Sequence, residues 1–302
     1  MPTQVRWLFA LAAMASVACA APQERSSAPL VVVDDAGDTV ALAGPATRVV
    51  SLIPTTTELL FALGGGPAVV GRSTWCDWPA EARAVADLGD GISPSIEAIV
   101  GTRPDLVVLY RSPTNAAVVR QLRNQGITTI QLRVDNLGDM ARATRVLGRA
   151  LGQESAADSL QHAVDSSLAA VSAPSDSGPR AFLLVWEQPL TTIGRGSFLA
   201  ELVHRAGGRN VFDDVSASSA PVSLEAVVGR DPDIVLALSP GREPPPPRAE
   251  WRAIRAVREG HFVPLEGSTF LRPTPRVAQA IVELQRVFQE RRASRSDRGQ
   301  VP

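Results

Sequence analysis

The chain has 302 residues, of which 45% are hydrophobic and 20% are charged, which is enough for two globular domains with apolar cores. Its formal net charge is −1, so the strongly positive surface on which nucleic-acid binding depends is excluded. All 30 basic residues are arginine, and this bias lowers the weight of any one arginine as a functional signal.

Residues 1–20 have the pattern of an export signal, in which one arginine precedes an apolar run too short to span a bilayer as a mature helix. Two processing sites fit this pattern. In one, the letters SVAC at 16–19 form a lipobox and Cys19 becomes the lipidated first residue; in the other, cleavage follows Ala20. If Cys19 is lipidated or removed, Cys76 remains alone, and we interpret it as a buried, unreactive thiol without a disulfide.

Strand and helix signals alternate over residues 30–136, which predicts an N-terminal α/β lobe with a mostly parallel sheet. A hairpin signal, DDAGD, separates the first two predicted strands. The predicted strands are 30–33, 39–42, 48–53, 68–71, 106–110 and 127–132, with helices at 95–101 and 116–125.

The segment 137–172 contains no proline and keeps apolar residues at helical spacing, which predicts one long helix between two lobes. Gly148 and Gly152 weaken this helix and mark where it would kink or break. A turn-rich stretch at 174–179 then closes the segment.

A second α/β lobe is predicted over residues 179–291. Its strands are expected at 180–186, 234–238 and 261–264, and its helices at 198–205, 224–229, 251–257 and 274–291. The polar residues 292–302 are predicted to be a disordered tail.

One unit occurs twice and supports this division into two lobes. The letters SIEAIVGTRPDLV at 95–107 recur as SLEAVVGRDPDIV at 223–235. Each copy places a glutamate, Glu97 or Glu225, in the first turn of its helix. These acids could complement the helix dipole and support capping, or they could meet a two-fold symmetric partner such as a dimeric membrane permease through arginines.

Several motifs in order resemble the class III periplasmic binding proteins, which have a helical backbone between two lobes, and in particular their cobalamin-binding members. The motifs are RVVSLIPTTTEL at 48–59, WCDWP at 75–79, the two repeat copies, PLTT at 189–192, GGRNV at 207–211 and RPTPR at 272–276. This resemblance implies two α/β lobes joined by a rigid helix, a flat corrinoid ligand between them, and docking of Glu97 and Glu225 on an ABC permease dimer. It also implies a monomeric, extracytoplasmic carrier, either periplasmic or anchored by the lipid on Cys19.

Four aromatic residues fall at predicted strand ends or in the loops just beyond, where open α/β sheets bind ligands. These are Trp75, Trp78, Tyr110 and Trp186, and rings at such positions would cover a flat macrocycle; the alternative for the tryptophans is a place in the core. Arg272 and Arg276 are candidates for polar ligand groups, or for a solvated helix start. Gly91 and Ser219 stand where the cobalamin-binding relatives carry further tryptophans, so part of an aromatic cage is expected to be missing.

The same residues bear on other functions. Haem or a ferric siderophore is the alternative within the class, with Arg72, Arg111, Arg272 and Arg276 available for an anionic chelate. The three histidines, His162, His204 and His261, suit no metal-ligand spacing, and no metal or resident cofactor is expected. The sequence contains no nucleophile elbow or phosphate loop, so a non-catalytic role is expected.

Overall fold

The computed structural model describes residues 29–239, 249–266 and 268–298. In these residues, strands and helices form two α/β lobes, each built on its own sheet. The predicted fold class is therefore confirmed. The predicted signal segment and Cys19 lie outside the described residues.

The N-terminal lobe contains a four-stranded sheet whose strands are all parallel and stand in the order β4-β3-β5-β6. Central strands of such a sheet are covered on both faces, and β3 is buried along its whole length. A separate antiparallel hairpin, β1–β2, packs beside this sheet. The strands are β1 (Leu30–Val33), β2 (Thr39–Leu42), β3 (Val49–Ser51), β4 (Val69–Arg72), β5 (Leu106–Tyr110) and β6 (Thr128–Leu132), and the helices are α1 (Pro54–Ala62), α2 (Ile96–Gly101) and α3 (Asn115–Asn124).

The connection between the lobes consists of two helices, α4 (Leu137–Ala150) and α5 (Glu154–Val171). The single helix predicted over 137–172 is thus divided in two, at the place where Gly148 and Gly152 mark a kink or break. Gly152 has a φ of +65°, which is the left-handed conformation that ends helices and that glycine adopts without steric cost. Close packing at the break also depends on Gly148, because a Cβ atom there would lie 2.5 Å from the Cβ atom of Ala157.

The C-terminal lobe has a mixed sheet in the order β10-β8-β7-β11-β12, with β9 paired to the start of β7. Strands β7, β11 and β12 are parallel, whereas β8 and β10 form an antiparallel edge. The strands are β7 (Arg180–Glu187), β8 (Leu190–Ile193), β9 (Arg209–Asn210), β10 (Ser219–Pro221), β11 (Ile234–Ser239) and β12 (Phe262–Glu266), and the helices are α6 (Phe198–Arg205), α7 (Leu224–Arg230), α8 (Arg255–Arg258) and α9 (Val277–Arg298).

The last helix differs from its prediction at its C-terminal end. Helix α9 continues to Arg298, so residues 292–298, which were predicted to be disordered, extend it. Residues 299–302 lie outside the described part of the chain. The run ERRASRSDR is rich in arginine and contains no proline or glycine, so nothing in it stops a helix once packing has started one.

Apolar packing continues from one lobe to the other through the connecting helices. The largest buried cluster joins Val49 and Leu106 of the first sheet to Leu147 of α4, Leu168 of α5 and Leu284 of α9. Two smaller clusters fill the opposite faces of the two sheets. Because interiors are packed as densely as crystals, this continuous core fixes each lobe against the connection.

The close contact at the helix break leads to a stability prediction. Replacement of Gly148 by Ala places a methyl group against Ala157 and should lower the free energy of unfolding by about 1–3 kcal/mol, despite the better helix propensity of alanine. Urea denaturation followed by circular dichroism measures this change. In the double variant with Ala157→Gly, part of the lost stability should return.

Gly101 provides the matched control, since it lies in a helix and a Cβ atom there meets nothing within 4 Å. Gly101→Ala should be neutral or slightly stabilising. An equal loss of stability in Gly101→Ala and Gly148→Ala would contradict the assigned contact.

Candidate ligand-binding cleft

The loop after β4 carries two exposed tryptophans on either side of a buried cysteine. Trp75 and Trp78 are 58% and 45% exposed. Cys76 is fully buried, and the hydroxyl oxygens of Thr57 and Ser73 lie 3.0 and 3.1 Å from its Sγ. Cys76 is thus a buried free thiol, as predicted. It anchors the loop, while the rings of Trp75 and Trp78 lie at the surface.

Two arginines from the segment after β12 reach across to the N-terminal lobe. The guanidinium of Arg276 donates to both carboxylate oxygens of Glu58, at 3.1 and 3.0 Å. Nη2 of Arg272 donates to Asp77 over 2.7 Å. The guanidinium carbon of Arg276 also lies 4.2 Å from the centroid of the Trp78 ring, which is a cation–π distance. The carboxyl ends of β3, β4 and β12 therefore meet in one polar cluster, and it contains three of the predicted site residues.

Glu58 is the member of this cluster that sequence reasoning missed. Its side chain is only 3% exposed, and burial raises the pKa of its carboxyl group, while Arg276 and Arg272 act in the opposite direction. The one available signal was that Glu58 is the single charged residue in α1. A charge in a helix buried against a sheet is costly unless it is paired.

Hydroxyl groups beneath the cluster hold the start of α1 against β3. The Thr57 hydroxyl donates to that of Ser51 over 2.8 Å, and Ser51 lies 2.8 Å from the Thr56 hydroxyl. Thr56 in turn donates to the carbonyl of Ile53 over 2.9 Å. These short side chains compete for local backbone groups, and here they fix the start of the helix from which Glu58 projects.

Tyr110 ends β5 and is held by its own hydrogen bonds. Its hydroxyl donates to Asp135 over 2.7 Å, and the side-chain amide of Asn115 donates to its carbonyl over 2.9 Å. Burial, and then the Asp135 carboxylate, raise the pKa of Tyr110 to about 12. The phenol therefore loses its proton less readily than that of a solvent-exposed tyrosine.

Trp186 lies near the end of β7 and is 60% exposed, so its alternative interpretation as a core residue is wrong. Within the described part of the chain, no aromatic or polar contact joins Trp75, Tyr110 or Trp186 to the cluster around Glu58. Tyr110 and Trp186 instead lie at the ends of two strands, and Trp75 lies in the loop just after a third, at the edge where parallel sheets bind ligands.

Gly91 and Ser219, the two positions at which the cobalamin-binding relatives carry tryptophan, lie in different surroundings. Gly91 has a φ of +79°, and a Cβ atom there would lie 2.6 Å from the carbonyl oxygen of Leu52, so no side chain fits. Its neighbour Ile92 is 64% exposed instead. Ser219 is exposed on the edge strand β10, where it pairs with Ile193.

The sequence repeat is also a structural repeat. Ser95 and Ser223 each cap their helix by accepting from the amide three residues on, at 3.2 Å in both copies. The equivalent residues Arg103 and Asp231 share a positive φ, 49° and 40°. Two residues further on, the backbone amides of Asp105 and Asp233 donate to the carbonyls of Arg48 and Arg180, at the starts of β3 and β7, over 2.9 and 2.8 Å.

Glu97 and Glu225 are both exposed in these units. A hydrogen bond from its own backbone amide, and then one from Ser223, lower the pKa of Glu225. Since the two serines supply the side-chain caps, capping does not require either glutamate.

Other kinds of site have less support in the described residues. No group of three or more His, Cys, Asp or Glu side chains among them is arranged to hold a metal ion. None of the helices described is both long and apolar enough to cross a bilayer. A surface cavity of 570 Å³ in the C-terminal lobe is lined by Arg180, Arg195, Glu201, His204 and Arg209, among others, and includes none of the predicted site residues.

Curated relatives are similar over most of the chain. The vitamin B12-binding protein of Salmonella typhimurium is 30% identical over 79% of this chain and 89% of its own length, and that of Vibrio parahaemolyticus is 27% identical over 80% and 88%. An ABC transporter substrate-binding lipoprotein of Bacillus subtilis, YvrC, is 26% identical over 87% of both chains.

Solved structures show the same fold for several ligand classes. The vitamin B12-binding protein of Vibrio cholerae has a TM-score of 0.66 at 22% identity, covering 82% of this chain and 98% of that one. The heme-binding protein RhuT of Roseiflexus has a TM-score of 0.69 at 24% identity, covering 82% and 99%. A protein of an Fe3+-hydroxamate transport system from Saccharomonospora viridis has a TM-score of 0.68 at 23% identity, covering 87% and 99%.

These similarities leave the ligand open between B12, haem and a siderophore, whereas the fold and the general role are common to all of them. Residues 49–268, which include both lobes and their connection, match the periplasmic binding protein family. This chain is therefore a member of the periplasmic binding proteins, the substrate-binding components of ABC transporters.

Proposed function

We propose that this chain is a non-catalytic receptor that binds a corrinoid between its two lobes and delivers it to an ABC permease. The observation that carries the proposal is the exposure of three tryptophans, Trp75, Trp78 and Trp186, at strand ends belonging to both lobes. The carboxyl edges of open α/β sheets are where such folds bind ligands, so rings exposed there are placed to contact one. A broad, flat macrocycle offers the apolar area that such rings can bury.

The charges in the cleft favour this ligand over an anionic chelate. Of the four arginines considered for a siderophore, Arg272 is paired with Asp77, and Arg276 with Glu58. Arg72 donates to the carbonyl of Ser73 and lies 3.5 Å from Asp87, while Arg111 is exposed at the end of β5. Because three of these four cations are already matched by carboxylates, little positive charge is left for a ferric siderophore.

The state of Tyr110 argues against haem. Tyrosine is among the residues that bind haem iron, and it does so as a phenolate. Tyr110 is the only tyrosine in the chain, and its hydrogen bond to Asp135 keeps the proton on the phenol. Haem stays the alternative if corrinoid binding fails.

We also propose that Glu97 and Glu225 dock on the permease dimer, one acid per half of a two-fold symmetric partner. Both carboxylates are exposed, and both stand at equivalent places in the repeated unit. The carrier acts as a monomer outside the cytoplasm, and lipidation of Cys19 would hold it at the membrane surface.

Ligand titration tests the corrinoid assignment. Tryptophan fluorescence should change on addition of cyanocobalamin at micromolar concentration or below, and not with haemin or ferric enterobactin, an anionic chelate. Trp75→Ala and Trp186→Ala should each weaken binding about tenfold, which is about 1.4 kcal/mol, since each removes one ring from the site. Trp251→Phe, a change in the core of the C-terminal lobe, serves as the control. A response to haemin or ferric enterobactin but not to cyanocobalamin would reject the assignment.

The single tyrosine makes a direct titration of Tyr110 practical. The absorbance of tyrosinate at 295 nm should rise with an inflection near pH 12 in the folded protein and near pH 10 in urea. Because the folded phenol keeps a proton that the unfolded one loses, the fold should lose stability as the pH rises through this window. Asp135→Asn should move the folded inflection toward 10, whereas Asp158→Asn, an exposed change on α5, should not. An inflection near 10 in the native protein would show that Asp135 does not hold the phenolic proton.

Docking is tested by the double variant Glu97→Ala/Glu225→Ala. Ligand affinity should stay within twofold of the parent, since neither acid is in the cleft, while ligand uptake into cells or proteoliposomes carrying the transporter should fall at least tenfold. Glu154→Ala, another exposed glutamate in the first turn of a helix, should leave both quantities unchanged. Loss of ligand affinity in the double variant, or full uptake, would count against docking through these acids.

A further inference from the structure

The buried carboxylate of Glu58 is bound mainly from the opposite lobe. Its two oxygens accept from Nε and Nη2 of Arg276, and Nε of Arg272 lies 3.9 Å from one of them. Paired, nearly parallel hydrogen bonds of this kind are stronger and more directional than a single contact. Both arginines belong to the segment between β12 and α9, whereas Glu58 belongs to α1.

The position of these partners links the carboxylate to the arrangement of the lobes. A buried carboxylate that loses its partners is strongly destabilising, and separation of the lobes would remove both arginines from Glu58. Asp77 supplies the second acid at this point, so two guanidinium groups face two carboxylates. The cluster therefore holds the facing edges of the two sheets together without leaving a net charge.

Arg276, which is paired with Glu58, also supports the ring of Trp78. Arg276 is stacked on this ring at 4.2 Å, and 45% of the residue's surface is still exposed. A guanidinium stacked on one face supports the ring and leaves the rest of it to bind a ligand. Glu58 fixes the plane of the Arg276 guanidinium through two hydrogen bonds. The orientation of the Trp78 ring therefore depends on Glu58 through Arg276.

We infer that Glu58 is a positioning residue for ligand binding, which holds Arg276 against Trp78 and thereby sets both the spacing of the lobes and the orientation of an aromatic platform. Arg272 and Arg276 then act as internal partners of acids and not as binding groups for an anionic ligand. This inference rests on the proposed binding of a ligand in the cleft, but not on which ligand it is.

The decisive experiment measures the environment of Trp78 without any ligand. In a Trp7→Phe/Trp75→Phe/Trp186→Phe background, the remaining tryptophans are Trp78 and the buried Trp251, so acrylamide quenching reports mainly on Trp78. Glu58→Gln should raise the quenching constant at least twofold, because Arg276 no longer covers the ring. A stabilising salt bridge with no positioning role would change the melting temperature but not the quenching of the folded protein.

Binding is then measured in the chain that keeps all its tryptophans. Glu58→Gln should weaken the binding of cyanocobalamin about tenfold, while Glu154→Gln, an exposed acid on α5, should leave both quenching and affinity unchanged. If Glu58→Gln does not fold, Arg276→Lys provides the same test, since lysine keeps the charge but cannot form the planar, two-bonded stack. Quenching and affinity that stay within twofold of the parent in a folded variant would overturn the inference.

The two proposals fail in different ways. If the parent chain does not bind cyanocobalamin, the corrinoid assignment falls, and the quenching constants alone then decide the role of Glu58: a rise supports it and no change overturns it. If the parent binds cyanocobalamin and Glu58→Gln binds it equally well, the positioning role falls while the corrinoid assignment stands.

Discussion

The meeting of two sheet edges around one buried carboxylate is the constraint on which the cleft depends. Strand β3 leads into helix α1, which carries Glu58, and β4 leads into the loop that carries Trp78; the chain after β12 brings Arg276 to both of them. The hydroxyl network of Ser51, Thr56 and Thr57 fixes the start of α1 from below. An ion pair at this depth contributes little net stability once desolvation is counted, but it permits few alternative geometries. The site is thereby kept in one arrangement, while the tryptophans nearby stay exposed.

The sequence predicts the two lobes and their repeated unit because both depend on short-range patterns. Alternating apolar runs and turn residues identify parallel strands, and the two 13-residue copies reveal the duplication directly. The antiparallel edge strands β8 and β10 escaped prediction because their sequences, LTTI and SAP, are too short to show an alternation of apolar and polar residues, and the second contains proline. The break between α4 and α5 was marked only by its glycines, since apolar spacing continues on both sides of it. Whether a glycine kinks, ends or merely weakens a helix is decided by the residues packed against it, here Ala157 and Pro45.

The candidate site could be predicted residue by residue but not as a network. Strand ends indicate where Trp75, Tyr110 and Trp186 must lie, because the topology places them there. Which charges are paired is a matter of tertiary geometry, so the pairing of Arg272 with Asp77 and of Arg276 with Glu58 could not be predicted from the sequence. Gly91 shows the opposite situation: a missing aromatic side chain looks like a choice of ligand in the sequence, but in the fold it is a steric requirement beside Leu52.

The duplicated helix–turn–strand unit has a mechanical consequence. Each copy is tied to its own sheet by a serine cap, a left-handed residue before proline and an aspartate amide bonded to the neighbouring strand region. All of these bonds are made within one half of the molecule, so the carboxylate that each copy presents moves rigidly with its half. The span between the two acids then changes only when the halves tilt or slide against each other. A partner that binds both acids at once would therefore respond to the distance between them, and through it to whether a ligand holds the two halves in a different arrangement.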